Sequence, residues 1–197
     1  MGSGGVSLQS PWLARDVKGP TLRTQRLRMV WLLTLPYLYV SKPSAEYLLI
    51  GGLISFSGLL LRAWAAGSIH KDRELATGGL YGHLRHPLYS GSFLLGFGLA
   101  LAGGRWWIPA LFVGLFFWVY RRAVRAEEEA LAGRFGEAYQ NYRTQTPAFL
   151  PHIRHPSPIN PGPGFQLGLF LRNKEWQAWL GTLIGYGLLW ARMCVSG

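Results

Sequence analysis

Five separate blocks of apolar residues run through this chain, and their lengths decide what it can fold into. A helix must reach about twenty residues to cross a hydrocarbon layer of roughly 30 Å, because each residue adds only about 1.5 Å of rise. The block from Ala45 to Ile69 meets that length, and it contains Gly51, Gly52 and Gly58, small residues that let a neighbouring helix approach closely. Pro87 to Ala102 and Arg105 to about Tyr120 are shorter, and the intervening Gly103-Gly104 predicts a tight turn that makes them a hairpin. Leu27 to Val40 is short for a span and is expected to begin nearer Thr24 and to tilt or kink at Pro36. Trp176 to Met193 is long enough to span or to lie along another helix. The expected fold is therefore all-α: a polytopic membrane bundle of about five transmembrane helices.

Between these blocks lie two polar segments. His70 to His86 separates the second and third blocks, while Arg121 to about Phe149 follows the fourth with a charged, helical pattern. Six prolines between Pro147 and Pro163 then break the chain into an irregular stretch. The whole of 1–197 is read as one integral membrane domain, with a core over about 70–151 that holds both polar segments and an extra hydrophobic helix over about 176–193.

Charge fixes the expected orientation. The chain carries a net charge of +11, a value that in a soluble protein would point to nucleic acid. Here 49% of residues are hydrophobic and 15% charged, and the basic residues sit in alternate loops, as they do on the cytosolic side of membrane proteins. Arg15 to Arg28, then Arg62 to Arg85, then Arg121 to Arg143 fall on one side; only Lys42 and Arg105 fall on the other. A cytosolic N-terminus satisfies this arrangement and puts both polar segments on the same face. Nucleic acid is not an expected partner, membrane lipids are, and nothing in the sequence marks an obligate protein partner. The single cysteine, Cys194, excludes an internal disulfide and Cys-rich zinc patterns, and no metal site is expected.

Chemistry is concentrated in the two polar segments. In the first, Gly78-Gly79 leads through Tyr81 to Arg85-His86-Pro87, with Tyr89 and Gly91 one turn on. Proline is well suited to the first position of a helix, and a helix N-terminus beside a guanidinium and an imidazole favours a carboxylate through dipole, charge and directed hydrogen bonds. The plain alternative is a helix cap with an arginine reaching for the membrane surface. In the second segment, Glu127-Glu128-Glu129 follow Arg121, Arg122 and Arg125 directly beyond a span. Carboxylates there suit the ammonium or ribose hydroxyls of a nucleoside cofactor. The plain alternative is a solvated helix with pairs such as Arg125 and Glu129, each contributing about 0.3 to 0.5 kcal/mol.

Together the two segments resemble the family of isoprenylcysteine carboxyl methyltransferases and phospholipid N-methyltransferases. The resemblance covers roughly Leu75 to Pro151: Gly79-Leu80-Tyr81, Arg85-His86-Pro87, Tyr89 and Gly91, then Glu127-Glu128, Leu131, Phe135-Gly136, Tyr139, Tyr142, Pro147 and Pro151. It implies a membrane enzyme holding S-adenosylmethionine in a cytosolic pocket while a lipid-like or prenylated substrate enters between helices. By position, cofactor contacts would fall on Arg73, Glu74, Leu75 and Ala76, on Tyr81, on Arg85, His86, Pro87, Leu88 and Tyr89, and on Glu127 and Glu128. Glu127 and Arg122 would act in catalysis, Arg122 matching an arginine that the family places near the substrate. The implied reaction is methyl transfer to the carboxylate of a prenylated cysteine, with the amine of phosphatidylethanolamine as the alternative acceptor. Membrane sterol reductases carry a comparable Arg-His-Pro segment and bind a nicotinamide cofactor, but the Glu-Glu segment followed by Phe-Gly favours the methyltransferase. The second Arg154-His155-Pro156 lacks the following Tyr and Gly and reads as coincidence.

Overall fold

A computed structural model describes residues 33–69, 75–149 and 164–196. Every regular element among them is a helix: α1 (33–40), α2 (Ala45–Gly67), α3 (Leu80–His83), α4 (Pro87–Ala102), α5 (Trp107–Phe135), α6 (Glu137–Gln145), α7 (Leu167–Arg172) and α8 (Trp176–Ser196). The chain divides into a unit ending at Tyr39 and a second unit from Val40 onward. Of the first, the described part is helical; the start of the expected first span, before residue 33, lies outside the described residues, as do Arg73, Glu74 and Arg154 to Pro156. All that follows concerns the second unit.

Among the described residues, three helices are long and apolar enough to cross a membrane: Ala45–Gly67, Trp107–Phe135 and Trp176–Val195. The expected hairpin forms with a different division of length. Helix α4 has 16 residues and runs between Pro87 and Ala102, about 24 Å, short of a full bilayer core. Helix α5 does not stop near Tyr120 but continues unbroken for 29 residues, about 43 Å, so its charged last turns project beyond the apolar part. No proline or glycine pair interrupts it there, so the change from apolar to charged residues alters what the helix faces and not its backbone.

Helix α2 starts at Ser44, whose hydroxyl accepts the Tyr47 amide as an N-cap. It packs on α4 through one stripe, Gly51, Ser55 and Gly58, set against Gly91, Gly98 and Ala102. A Cβ on Gly58 would stand 2.6 Å from both the Gly91 carbonyl oxygen and the Leu95 amide nitrogen, so these backbones touch only because the side chains are absent. Ser55 donates to the Leu95 carbonyl at 2.9 Å and shares a 3.0 Å hydrogen bond with Tyr186 of α8, which ties the third long helix to this pair. At the far end, Lys42 donates its amide to the Gly103 carbonyl at 2.8 Å, and Gly104 takes a φ of +68°, as the turn requires.

Helix α5 ends where Gly136 adopts a φ of +52°. This left-handed residue turns the chain back, and α6 returns toward the loop before α4. Its two tyrosines anchor it: Tyr139 is fully buried, and Tyr142 donates to the Tyr81 carbonyl at 2.6 Å. Just beyond, the carbonyls of Pro147 and Ala148 accept the amides of Arg85 and His86 at 2.9 and 3.2 Å, while Ser90 donates to the Phe149 carbonyl at 3.1 Å. The stretch from α6 to Phe149 thus clamps the loop that leads into α4.

Candidate cofactor and acceptor cavity

Between that clamped loop, α2, α4 and α5 lies a cavity of about 500 Å³. Its size falls within the range of about 300 to 1,000 Å³ typical of small-molecule sites. From the first polar segment it is lined by Leu75, Ala76 and Tyr81, then by Arg85 and His86. The first turn of α4 adds Pro87, Leu88 and Tyr89, and α5 contributes Glu127. Nine of the positions expected to touch a cofactor therefore converge on one space.

Two do not. Glu128 lies behind the wall, accepting from Arg85 Nη1 at 2.6 Å and sitting 3.2 Å from His86 Nε2 and 3.8 Å from Arg143. The guanidinium and imidazole expected to receive a ligand carboxylate thus already hold one from the protein. The amides of Arg85 and His86 are likewise taken, by the clamp. Arg122 is exposed, with its guanidinium 5.3 Å over the Trp118 ring, and does not line the cavity. Helical geometry gives the reason: five residues separate Arg122 from Glu127, which sets them about 140° apart around α5. Tyr120, Glu127, Leu131 and Arg134, spaced by seven, four and three, form the stripe that faces inward.

Glu127 is the carboxylate most open to the cavity. Its side chain is 47% exposed, it lies 3.9 Å from His86 Nδ1, and the Tyr89 hydroxyl shares a hydrogen bond with it. Tyr89 packs edge-on against Tyr120 with ring centroids 5.2 Å apart, and Tyr120 stacks on Phe116 at 4.0 Å, so the wall below Glu127 is aromatic. On the loop side, burial pushes the hydroxyls of Tyr81 and Tyr142 well above the usual phenol range, and both stay protonated hydrogen-bond donors.

The opposite wall was not expected from sequence. Arg62, on α2, donates from Nε to Glu175 Oε2 at 3.0 Å and from Nη2 to Oε1 at 2.9 Å. Its Nη1 donates to Ser92 Oγ and reaches the Leu88 carbonyl at 3.5 Å. Arg62, Ser92 and Glu175 all line the cavity. For Arg62 a signal existed: it continues the Gly51, Ser55, Gly58 stripe by one more turn, and a charge inside an apolar helix marks a functional position by default. Glu175 gives no local signal, since its role arises from contact with a residue 113 positions earlier.

The cavity has carboxylates and arginines on its walls and is bordered by α2 and α5, two helices long and apolar enough to cross a membrane. The family model described as phospholipid methyltransferase matches residues 53–138. Protein-S-isoprenylcysteine O-methyltransferase of Schizosaccharomyces pombe is 33% identical over 89 residues, 45% of this chain and 37% of that protein. Nickel-cobalt-cadmium resistance protein NccN of Alcaligenes xylosoxydans xylosoxydans is 33% identical over 112 residues, 56% of this chain and 52% of its own length. Cobalt-zinc-cadmium resistance protein CzcN of Cupriavidus metallidurans is 34% identical over 94 residues, 47% of this chain and 43% of its own length. The chain thus spans between 37% and 52% of the length of these relatives. No solved structure matches it. The matched segment 53–138 holds the first motif and the Glu127-Glu128 and Phe135-Gly136 part of the second, and over it the chain is similar to phospholipid methyltransferases and to an isoprenylcysteine O-methyltransferase.

Proposed function

We propose that this chain transfers the methyl group of S-adenosylmethionine to a lipid-like acceptor, and that the acceptor is the carboxylate of a prenylated cysteine. One observation carries the reading: the two motifs of the family segment, separated by about forty residues of chain, meet across a single cavity with Glu127 open to it. The donor set suits the cofactor, since Glu127 with Tyr89 can take an ammonium or a ribose diol, and the tyrosine and leucine walls suit an adenine ring. We also place the N-terminus and the cavity on the cytosolic side, from the distribution of basic residues.

S-adenosylmethionine held by Glu127 and Tyr89 would supply an electrophilic methyl for an acceptor oxygen, the sulfur keeping the electron pair of its broken bond to carbon. A carboxylate is ionised at neutral pH and needs no base. The protein's task is alignment and exclusion of water. Glu127 and Tyr89 orient from one wall, while the Tyr89, Tyr120 and Phe116 rings keep the path between α4 and α5 apolar. Arg122 does not line the cavity, so this reading gives it no part at the reacting atoms. A second reading, N-methylation of phosphatidylethanolamine, is favoured by one feature: Glu127 and Glu175 both line the cavity, and an amine acceptor must lose a proton before it attacks.

Calorimetry of detergent-purified protein with S-adenosylhomocysteine and, separately, NADPH tests the proposal. Binding of the nucleoside that Glu127→Ala weakens, with no response to NADPH, is the expected result. NADPH binding without nucleoside binding would overturn it in favour of a reductase.

A further inference from the structure

Arg62 and Glu175 form a nearly buried ion pair, their side chains 22% and 9% exposed, on the wall of the cavity that faces the apolar helices. The pair stands outside both motifs, and Glu175 lies beyond the family segment altogether. Its position is enforced by several contacts at the end of α2. Gln166 donates its amide to the Gly67 carbonyl at 2.9 Å, and Asn173 donates its side-chain amide to the Ala66 carbonyl at 2.8 Å. Between Asn173 and Glu175, Lys174 takes a φ of +58°, the one non-glycine residue among those described with such a value. A side chain in that conformation costs about 1 kcal/mol or more, and it persists where surrounding structure holds it. The turn is thus held in a strained shape that delivers one carboxylate into the cavity wall.

Arg62 spends its donors on Glu175, Ser92 and the Leu88 carbonyl, so it is poorly placed to take a ligand carboxylate. Glu175 is different. A carboxylate offers about four lone-pair sites, and the two directed hydrogen bonds from Arg62 leave acceptor capacity on an atom group that lines the cavity. The pairing fixes the carboxylate in direction, as a receptor for an N–H requires.

We propose that Glu175 is a specificity-determining residue that accepts a hydrogen bond from an N–H carried by the acceptor next to its methylated group, and that Arg62 is the positioning residue that holds Glu175 in place. This rests on the reading that the chain methylates a prenylated cysteine, in which the backbone N–H lies one carbon from the carboxylate. The C-terminal segment is then part of the substrate site, and not merely a further membrane anchor.

The test compares N-acetyl-S-farnesylcysteine, which has the N–H, with S-farnesylthiopropionate, which lacks it. Wild-type protein should favour the first by roughly tenfold in kcat/KM, the worth of one charge-assisted hydrogen bond. Glu175→Gln should shrink that ratio to about twofold or less, with turnover of S-farnesylthiopropionate changing less than about threefold. The double variant Arg62→Met with Glu175→Met, which leaves no unpaired buried charge, should erase the preference as well. Asn173→Ala, which loosens the turn that delivers Glu175, should reduce the preference in the same direction but by less. Parallel loss in the Glu175 variants, or equal use of both acceptors by wild type, would mean that the pair only docks the segment and would overturn the inference alone. Wild-type protein that methylated neither acceptor would sink the inference together with the functional reading beneath it.

Discussion

Arg85 and Glu128 meet at 2.6 Å, joining the loop before α4 to the projecting end of α5. Their side chains are 12% and 16% exposed, so each is largely removed from water and depends on the other. Removing one partner leaves a buried charge uncompensated, which costs about 3 to 5 kcal/mol, whereas replacing both by apolar residues of similar size costs far less. Glu128→Ala should therefore lower the melting temperature in detergent sharply, and Arg85→Leu combined with Glu128→Leu should recover much of the loss. Equal destabilisation by the single and double variants would show that the pair does not act as a unit.

Glu127 should behave differently from its neighbour. It is half exposed, and 3.9 Å from His86 is too far for a strong hydrogen bond, so little of the fold depends on it. Glu127→Ala is expected to weaken S-adenosylhomocysteine binding by roughly ten- to a hundredfold, the worth of a hydrogen bond to a charged group, while leaving the melting temperature within a degree or two of wild type. Calorimetry beside a thermal scan separates these effects.

The contact between α2 and α4 sets a third expectation. At Gly58 an added methyl meets two backbone atoms at 2.6 Å, and backbone cannot rotate away as a side chain can. Gly58→Ala should cost at least about 1 to 3 kcal/mol, the range for overpacking. A methyl added at Gly114, on α5, meets nothing within 4 Å, and Gly114→Ala should be neutral or slightly stabilising. Thermal unfolding of the two variants in the same detergent compares them directly.

Tyr142 predicts an alkaline limit. Burial raises its hydroxyl above the ordinary value of 10.0, so in the unfolded chain the proton leaves first. The folded state then binds more protons than the unfolded state, and stability must fall as pH rises. The contribution is complete below pH 10.0 and is lost between that value and the higher folded one, at a slope of up to about 1.4 kcal/mol per pH unit. Tyr142→Phe should make that decline shallower. At neutral pH it should cost about 1 to 3 kcal/mol, because the Tyr81 carbonyl loses a 2.6 Å partner. Denaturant melts at pH 8 and pH 11 provide the check.

What the sequence determined by itself is local. Apolar blocks of sufficient length specify helices, Pro87 starts α4 at the residue expected, and Gly103-Gly104 turns the chain, because backbone preference and hydrophobic length act over a few neighbouring residues. The motif positions Tyr81, His86, Tyr89 and Glu127 were legible for the same reason, as types of residue at fixed spacing in segments set beside membrane helices. The choice of partners belonged to the tertiary structure. Only packing could bring Glu128 against Arg85 and His86 ahead of any ligand, turn Arg122 away on a helix that runs on without a break, and carry Glu175 to Arg62 across 113 residues of chain. A buried charge takes whichever opposite charge the assembled helices place within reach, and that distance exists only once the fold has closed.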